Sequence, residues 1–489
     1  AGVSVTAETL AIRTRQLQTA NNQLNLSVDT LTIVTAVEHT TALKISNDRN
    51  LQITRRMDAG HIVTLDAGIS AIFQNISWVA TVSDDWADQV FDGALNPFAA
   101  ISSGLIDITL PTAAQPNGYG LTIDGQLRST TGSLTFTVDE LDFLGGPASV
   151  QAPGELTIRS ASNPWHYRLG TAAEAASGVP LSTTIGPNSL DLTTQDLDAL
   201  ADGFASITIG RPETSNLMRL GDAAASTVVK ATGVPRIVDA TIKDPLTLLA
   251  EEFIVEGDFQ VPADSLTVRG RTMEILRANL HTPNNATPDS GLTATRITLE
   301  LAEQLVVSGW IHATDLINID ITQTTGTDAI LTFVDGPNSL KTDVGASIRT
   351  TAAGSSVTVA AVGSVIHAAT VAALGDSSQL AIQSERSFQL LQGGILQVSG
   401  DDSRMTIDGG RYLSIAAGSA ILAGVVFEQQ NGSPVPVAVG ADSQITLTAP
   451  GELWLAGSVS STGSMTFNAG KKEFDHAEYF DTIPGRVLG

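Results

Sequence analysis

The stretch Ser129-Thr130-Thr131-Gly132-Ser133-Leu134-Thr135-Phe136 returns almost verbatim as Ser460-Ser461-Thr462-Gly463-Ser464-Met465-Thr466-Phe467. Two shorter phrases also recur. Gly186-Pro187-Asn188-Ser189-Leu190 returns as Gly336-Pro337-Asn338-Ser339-Leu340, and Ala152-Pro153-Gly154-Glu155-Leu156 as Ala449-Pro450-Gly451-Glu452-Leu453. Each phrase is a turn followed by the start of an alternating strand. A chain that reuses one turn-plus-strand unit from end to end is expected to be a solenoid, because each unit buries its apolar face only by stacking on the next. The copies lie 331, 150 and 297 residues apart and do not keep one order, so they do not mark tandem domains. They are a vocabulary used coil by coil.

Strand-like runs continue between the phrases. Leu31-Thr32-Ile33-Val34, Leu156-Thr157-Ile158-Arg159, Ser206-Ile207-Thr208-Ile209, Ile297-Thr298-Leu299-Glu300 and Ile445-Thr446-Leu447-Thr448 show the pattern. Apolar residues alternate with threonine or another polar residue, so one face is buried and the other is not. Gly, Asn, Asp, Ser and Pro clusters separate the runs. Strand starts fall irregularly, whereas a propeller or an immunoglobulin array would show a steadier period. A parallel β-helix tolerates irregular loops, since each coil need only return to its stacking position. The expected fold is therefore all-β: an elongated parallel β-helix with coils of roughly 20–25 residues, stacked at the ~4.8 Å strand spacing of any sheet.

Helical signals are few. Residues 193–201 predict a short helix with a polar cap. Residues 244–252 predict a second, with Pro245 in its first turn. The alternation breaks between Trp78 and Pro111, in a stretch that holds Trp86, Phe91 and Phe98 and reads as an excursion from the stack. Four segments follow: 1–110, with the aromatic excursion at 78–110; 111–350, with the longest loops; 351–470, the most regular and richest in Gly and Ala; and 471–489, a polar tail or linker.

Composition narrows the function. Of 489 residues, 42% are hydrophobic, so a core is available, but aromatics are only 5% and charged residues only 16%. That mixture suits thin stacked β-layers. The formal net charge of −25 repels nucleic acid and anionic lipid, and neither is expected as a partner. An acidic surface suits loose binding of Ca2+ and no other cofactor. The chain has no cysteine, which excludes disulfides and thiolate chemistry. No apolar run is long enough for a membrane-spanning helix. Starting at Ala1 without a signal-like segment, the chain reads as a mature or excised piece of a longer product.

The search for chemistry turns up little. Enzymes built on a β-helix set paired carboxylates on one face with a basic residue nearby. Asp401 and Asp402, followed by Arg404 and Asp408, form the candidate metal or sugar cluster; the plainer reading is a solvated turn between coils. Asp84 and Asp85, beside Trp78 and Trp86, form a candidate glycan or partner contact by ring stacking. Trp165, within Asn163-Pro164-Trp165-His166-Tyr167-Arg168, is a third candidate, read as a loop that docks on the stack. The seven histidines do not pair at metal-ligand spacing. Nucleophile-elbow, phosphate-loop, dinucleotide and EF-hand patterns are all missing. The sequons at Asn25, Asn75, Asn285 and Asn431 read as turn chemistry.

Leu190-Asp191-Leu192-Thr193-Thr194-Gln195-Asp196-Leu197-Asp198-Ala199-Leu200, followed by Phe204-Ala205-Ser206-Ile207-Thr208-Ile209-Gly210-Arg211, resembles a phrase of filamentous-haemagglutinin-type and related giant repetitive bacterial surface proteins. There a polar turn leads into an x-I-T-I-G strand. The glycine-rich residues 458–470 are of the same style. The match covers about 20 residues. The resemblance implies a right-handed parallel β-helix on a cell surface or in a secreted fibre.

These readings converge on a non-enzymatic extracellular β-solenoid that forms a fibre, sheath or adhesin stalk. Its expected partners are copies of itself, as a homo-oligomer or homopolymer. A glycan- or receptor-binding module is the alternative, and a polysaccharide-degrading enzyme a more distant one.

Overall fold

The structure is a computed structural model. It describes the strands between Ser4 and Ser129, and then residues 132–162, 166–171, 189–212, 216–221, 240–276, 290–322, 330–333 and 346–470, apart from 140, 144 and 431–432. The chain is an all-β parallel solenoid, 64% strand and 2% helix, with a long parallel sheet; among the described residues no barrel closes. It divides into two compact units. One comprises Ala1–Ala225, Pro235–Glu251 and Val261–Asp264; the other comprises Ser226–Val234, Glu252–Gln260 and Ser265–Gly489.

In the first unit the chain winds through parallel ladders. One ladder stacks Ile62–Asp66, Leu105–Thr109, Leu134–Thr137, Glu155–Arg159, Ser206–Gly210 and Leu246–Leu249. A second runs through Ala71–Gln74, Leu121–Asp124 and Leu141–Phe143. A third joins Ala100–Ile101, Leu127–Ser129 and Val150–Gln151. In the first ladder Leu134, Leu156, Ile207 and Leu246 stack in one buried row, and Phe136, Ile158, Ile209 and Leu248 in another. Thr135, Thr157, Thr208 and Thr247 form the half-exposed row between them. Each buried aliphatic contributes about 1.5–3 kcal/mol of transfer energy. Phe136 meets Phe143 of the next ladder edge-on, ring centroids 5.7 Å apart, and closes the interior at that corner.

The helix expected near residue 193 is Thr194–Ala199. Thr193 caps it: its hydroxyl accepts the Asp196 amide, and the Asp196 carboxylate accepts the Thr193 amide. The other oxygen of that carboxylate takes the Phe143 amide at 2.7 Å, so the cap also ties the helix to the second ladder.

The second expected helix is not formed. Leu246–Leu249 is a strand, with Ile207 beside Leu246 and Ile209 beside Leu248. Leu246, Leu248 and Ala250 are buried at every second position. That period-two burial overrides the helix-start signal of Pro245, because the ladder needs a strand there. Nor is the segment from His166 onward a docking loop. His166–Thr171 is a ladder strand between Ser189–Thr193 and Leu217–Leu220. Tyr167 is fully buried, and its hydroxyl is held by the amide and hydroxyl of Ser160.

The second unit is more regular. Three parallel ladders succeed one another along each coil, as in Ser356–Ala361, Ser364–His367 and Thr370–Ala373. Ile297, Ile317, Val357, Leu380, Met405, Ile445 and Met465 stack in register, at steps of 20, 40, 23, 25, 40 and 20 residues. Four of these six steps fall within the coil length expected from the sequence, and the two of 40 exceed it. The second step of 40 includes an antiparallel hairpin, Val425–Gln430 with Ser433–Ala438.

Candidate functional site

Where the third ladder of the second unit turns into the first, the chain repeats a four-residue corner. Gly375-Asp376-Ser377-Ser378, Gly400-Asp401-Asp402-Ser403 and Gly440-Ala441-Asp442-Ser443 occupy successive coils. The first position must be glycine. A Cβ on Gly400 would lie 2.5 Å from the Gly375 carbonyl group, and one on Gly440 would strike the Gly400 carbonyl. The third position is left-handed, with φ of +57° at Ser377 and +54° at Asp402 and Asp442, a conformation that Asp adopts more readily than most residues. There the amide of Ser377 donates to the Asp401 carbonyl (2.7 Å) and that of Asp402 to the Ala441 carbonyl (3.0 Å).

The fourth position is a buried serine. Ser355, Ser378, Ser403 and Ser443 immediately precede residues paired across successive coils. Ser378 donates to the Ala373 carbonyl (2.9 Å) and lies 3.2 Å from the Ser403 hydroxyl. Ser403 donates to the Ser399 carbonyl (2.8 Å), and Ser443 to that of Gly400 (3.0 Å). The column supplies hydroxyl donors to backbone carbonyls of the turn, and that of Ala373 also accepts the Ser399 amide at 3.1 Å.

The aspartates of the corner do related work. Asp376 Oδ1 accepts the amide of Asp401 at 3.1 Å, and Asp401 Oδ1 accepts the amide of Ala441 at 2.8 Å. Asp401, offered by the sequence as a metal candidate, straps one coil to the next through this bond. Asp402 is exposed on the same corner, and Asp408 accepts the Gly410 amide at 3.0 Å. Among the described residues no three His, Asp or Glu side chains gather as a cation site. The other sequence candidates, Trp78, Asp84, Asp85, Trp86 and Trp165, lie outside the described residues.

Glycines of two of the repeated phrases also sit in turns against the preceding coil, while Gly186 and Gly336 of the third lie outside the described residues. A Cβ on Gly154 would strike the Gly132 carbonyl, one on Gly451 that of Arg411, and one on Gly463 that of Ser443. Each glycine rests on the backbone of the coil before it. Sequence reading found the long phrases and missed the four-residue corner. Its signal is a glycine three residues before a buried serine, recurring at 375, 400 and 440.

Among the described residues one histidine is internal. His367 is 1% exposed, with Nε2 3.5 Å from the Ile395 carbonyl. Burial, opposed in part by backbone hydrogen bonds to Ile395 and Ala369, lowers its pKa to about 4.

The last described coil differs from the one beneath it. Leu413, Ile415, Ile421, Ile445 and Leu447 are buried to 1% exposure or less. Their partners in the next coil, Leu453, Leu455, Val459, Met465 and Phe467, are only half-buried. Trp454, pointing the other way on its strand, is 54% exposed. Among the described residues the strands Glu452–Leu455, Ser458–Ser461 and Met465–Ala469 pair on one side only. In the first unit, Ser4–Thr6 and Thr9–Thr14 likewise pair on one side only.

No protein family, no curated protein and no solved structure matches the chain.

Proposed function

We propose that this chain is a non-enzymatic structural solenoid of an extracellular surface fibre, sheath or adhesin stalk, and that it elongates by adding coil upon coil. The observation that carries this reading is the half-buried apolar row of the last described coil, Leu453, Leu455, Val459, Met465 and Phe467. Open parallel edges carry unpaired amides and carbonyls and template further pairing. A parallel ladder has unlike ends, so one end meets the other head to tail, and such contacts propagate. The corner supports growth in the same direction, since its glycine, aspartate and serine all act on a neighbouring coil. The net charge of −25 keeps the sides of such an assembly apart, and Ca2+ screens it. The resemblance to giant bacterial surface proteins supports an extracellular site.

Electron microscopy and light scattering of the purified chain, across concentration and with or without Ca2+, test this. Elongated particles whose length grows with concentration are expected. Monodisperse monomers under every condition would sink the proposal.

A further inference from the structure

Residues 471–489, which lie outside the described residues, follow directly on the last described strand, Met465–Ala469, and Gly470. Their composition breaks with the coils. Three basic and four acidic residues make seven charges in nineteen positions, where the chain as a whole is 16% charged. Phe474, Tyr479 and Phe480 make three aromatics in the same nineteen, where the chain as a whole has 5%. Pro484 has no amide to give a ladder. No apolar–polar alternation runs through the segment, so it does not spell another coil.

The surface it leaves from needs cover. Leu453, Leu455, Val459, Met465 and Phe467 are half-buried, whereas their partners one coil back are closed off from water. A stack of repeats stays soluble when its end carries a unit that is apolar inside and polar outside. Residues 471–489 supply both kinds of side chain. Their length suffices for one pass over the end, since the final step along the stack, Ile445 to Met465, is 20 residues. Aromatic bulk also suits that place. A coil inside the stack shares its filling with two neighbours, but an end cover fills the space from one side alone.

We propose that residues 471–489 cover the last described coil within one chain and so gate the coil-on-coil growth proposed above; the gate rests on that reading, whereas the cover is a property of the single chain. The tether decides between occupants. A segment joined at Gly470 meets this coil at an effective concentration on the order of millimolar, so an incoming copy at lower concentration has to displace it. Charge is not the cause, because four acidic and three basic residues sum to only −1 of the net −25.

The chain has no cysteine, so one introduced thiol reports one place. The test uses the full chain carrying Val459→Cys, diluted until light scattering gives monomer mass. Alkylation by iodoacetamide is followed with and without Phe474→Ser, Tyr479→Ser and Phe480→Ser together, which keep length and charge. The serines are expected to make the thiol react roughly tenfold faster, the equivalent of about 1.4 kcal/mol of cover. Ile421→Cys, the paired position one coil back, should stay slow in both backgrounds, which separates uncovering from unfolding. Equal rates at Val459→Cys overturn the inference. So do rates that fall with protein concentration and ignore the serines, because a second copy is then the cover. By microscopy, the serine chain with its native Val459 should begin to elongate at a lower concentration than the wild type. An unchanged onset overturns the gate. Faster alkylation with no elongated particles from either chain would sink the growth reading and leave the cover standing. Equal alkylation with normal growth would do the reverse.

Discussion

The carboxylate of Asp401 holds the backbone amide of Ala441, 40 residues further along the chain, at 2.8 Å. The contact joins one coil to the next across the hairpin insertion. It also separates two uses of an acidic turn. A carboxylate that binds a cation is indispensable as a charge, whereas one that accepts an amide needs only an oxygen. Asp401→Ala is therefore expected to cost about 1 kcal/mol, the usual worth of one such bond, and Asp401→Asn much less. Amide exchange at Ala441 should accelerate in the alanine variant alone. A calcium-dependent rise in melting temperature, lost equally in both variants, would assign Asp401 to a metal instead.

Two glycines of left-handed backbone separate strain from crowding. Gly354, at φ +71°, has open space for 4 Å around the point where a Cβ would stand, while Gly400, at φ +94°, has the Gly375 carbonyl group 2.5 Å from that point. Gly354→Ala carries only the left-handed penalty, about 1–2 kcal/mol. Gly400→Ala adds a clash of backbone on backbone, for roughly 3 kcal/mol or more in total. Urea titration of both variants checks the order, and equal midpoints would show that the coils are not as closely stacked as Gly375 and Gly400 require.

Burial of His367 makes stability depend on pH. Its folded pKa of about 4 lies below the ordinary 6.5, so the unfolded chain binds the proton more readily. The contribution is complete above pH 6.5 and declines as pH falls from 6.5 toward 4, with no further change below. The whole span is worth about 3 kcal/mol. Denaturant unfolding of the wild type and of His367→Gln between pH 7 and 4 tests it. The difference between the two curves should shrink with falling pH, and a constant difference would contradict the burial of a neutral ring.

The ladders were legible because their chemistry is local. In Leu156-Thr157-Ile158, Ile207-Thr208-Ile209 and Ile445-Thr446-Leu447 the alternation alone names the buried face. The Thr193–Asp196 cap was legible for the same reason. What was not legible depends on distant partners. Asp401 reads as a solvated turn residue or a candidate ligand until Ala441 is placed beside it, and Leu246 reads as helical until Ile207 is. Steps between 20 and 40 residues hide which residue stacks on which. The hairpin did leave a local mark: Asn431-Gly432 between Gln430 and Ser433 is a strong hairpin signal, in keeping with the reading of the sequon at Asn431 as turn chemistry.

Ile421 and Val459 are paired neighbours on adjacent coils, one fully buried and the other half-buried. The same substitution should act differently at each. Ile421→Asp places a carboxylate in the closed interior, at a cost of roughly 4 kcal/mol or more, and the surrounding coils should unfold. Val459→Asp places it where water still reaches, costing about 1 kcal/mol in the dispersed chain. Coil-on-coil growth would bury Val459 as Ile421 is buried, so the charge should block addition while the fold survives. The expected result is a Val459→Asp chain with near-normal thermal unfolding and no elongated particles by microscopy. Particles as long as those of the wild type would mean that the growing end lies elsewhere than the Glu452–Ala469 coil.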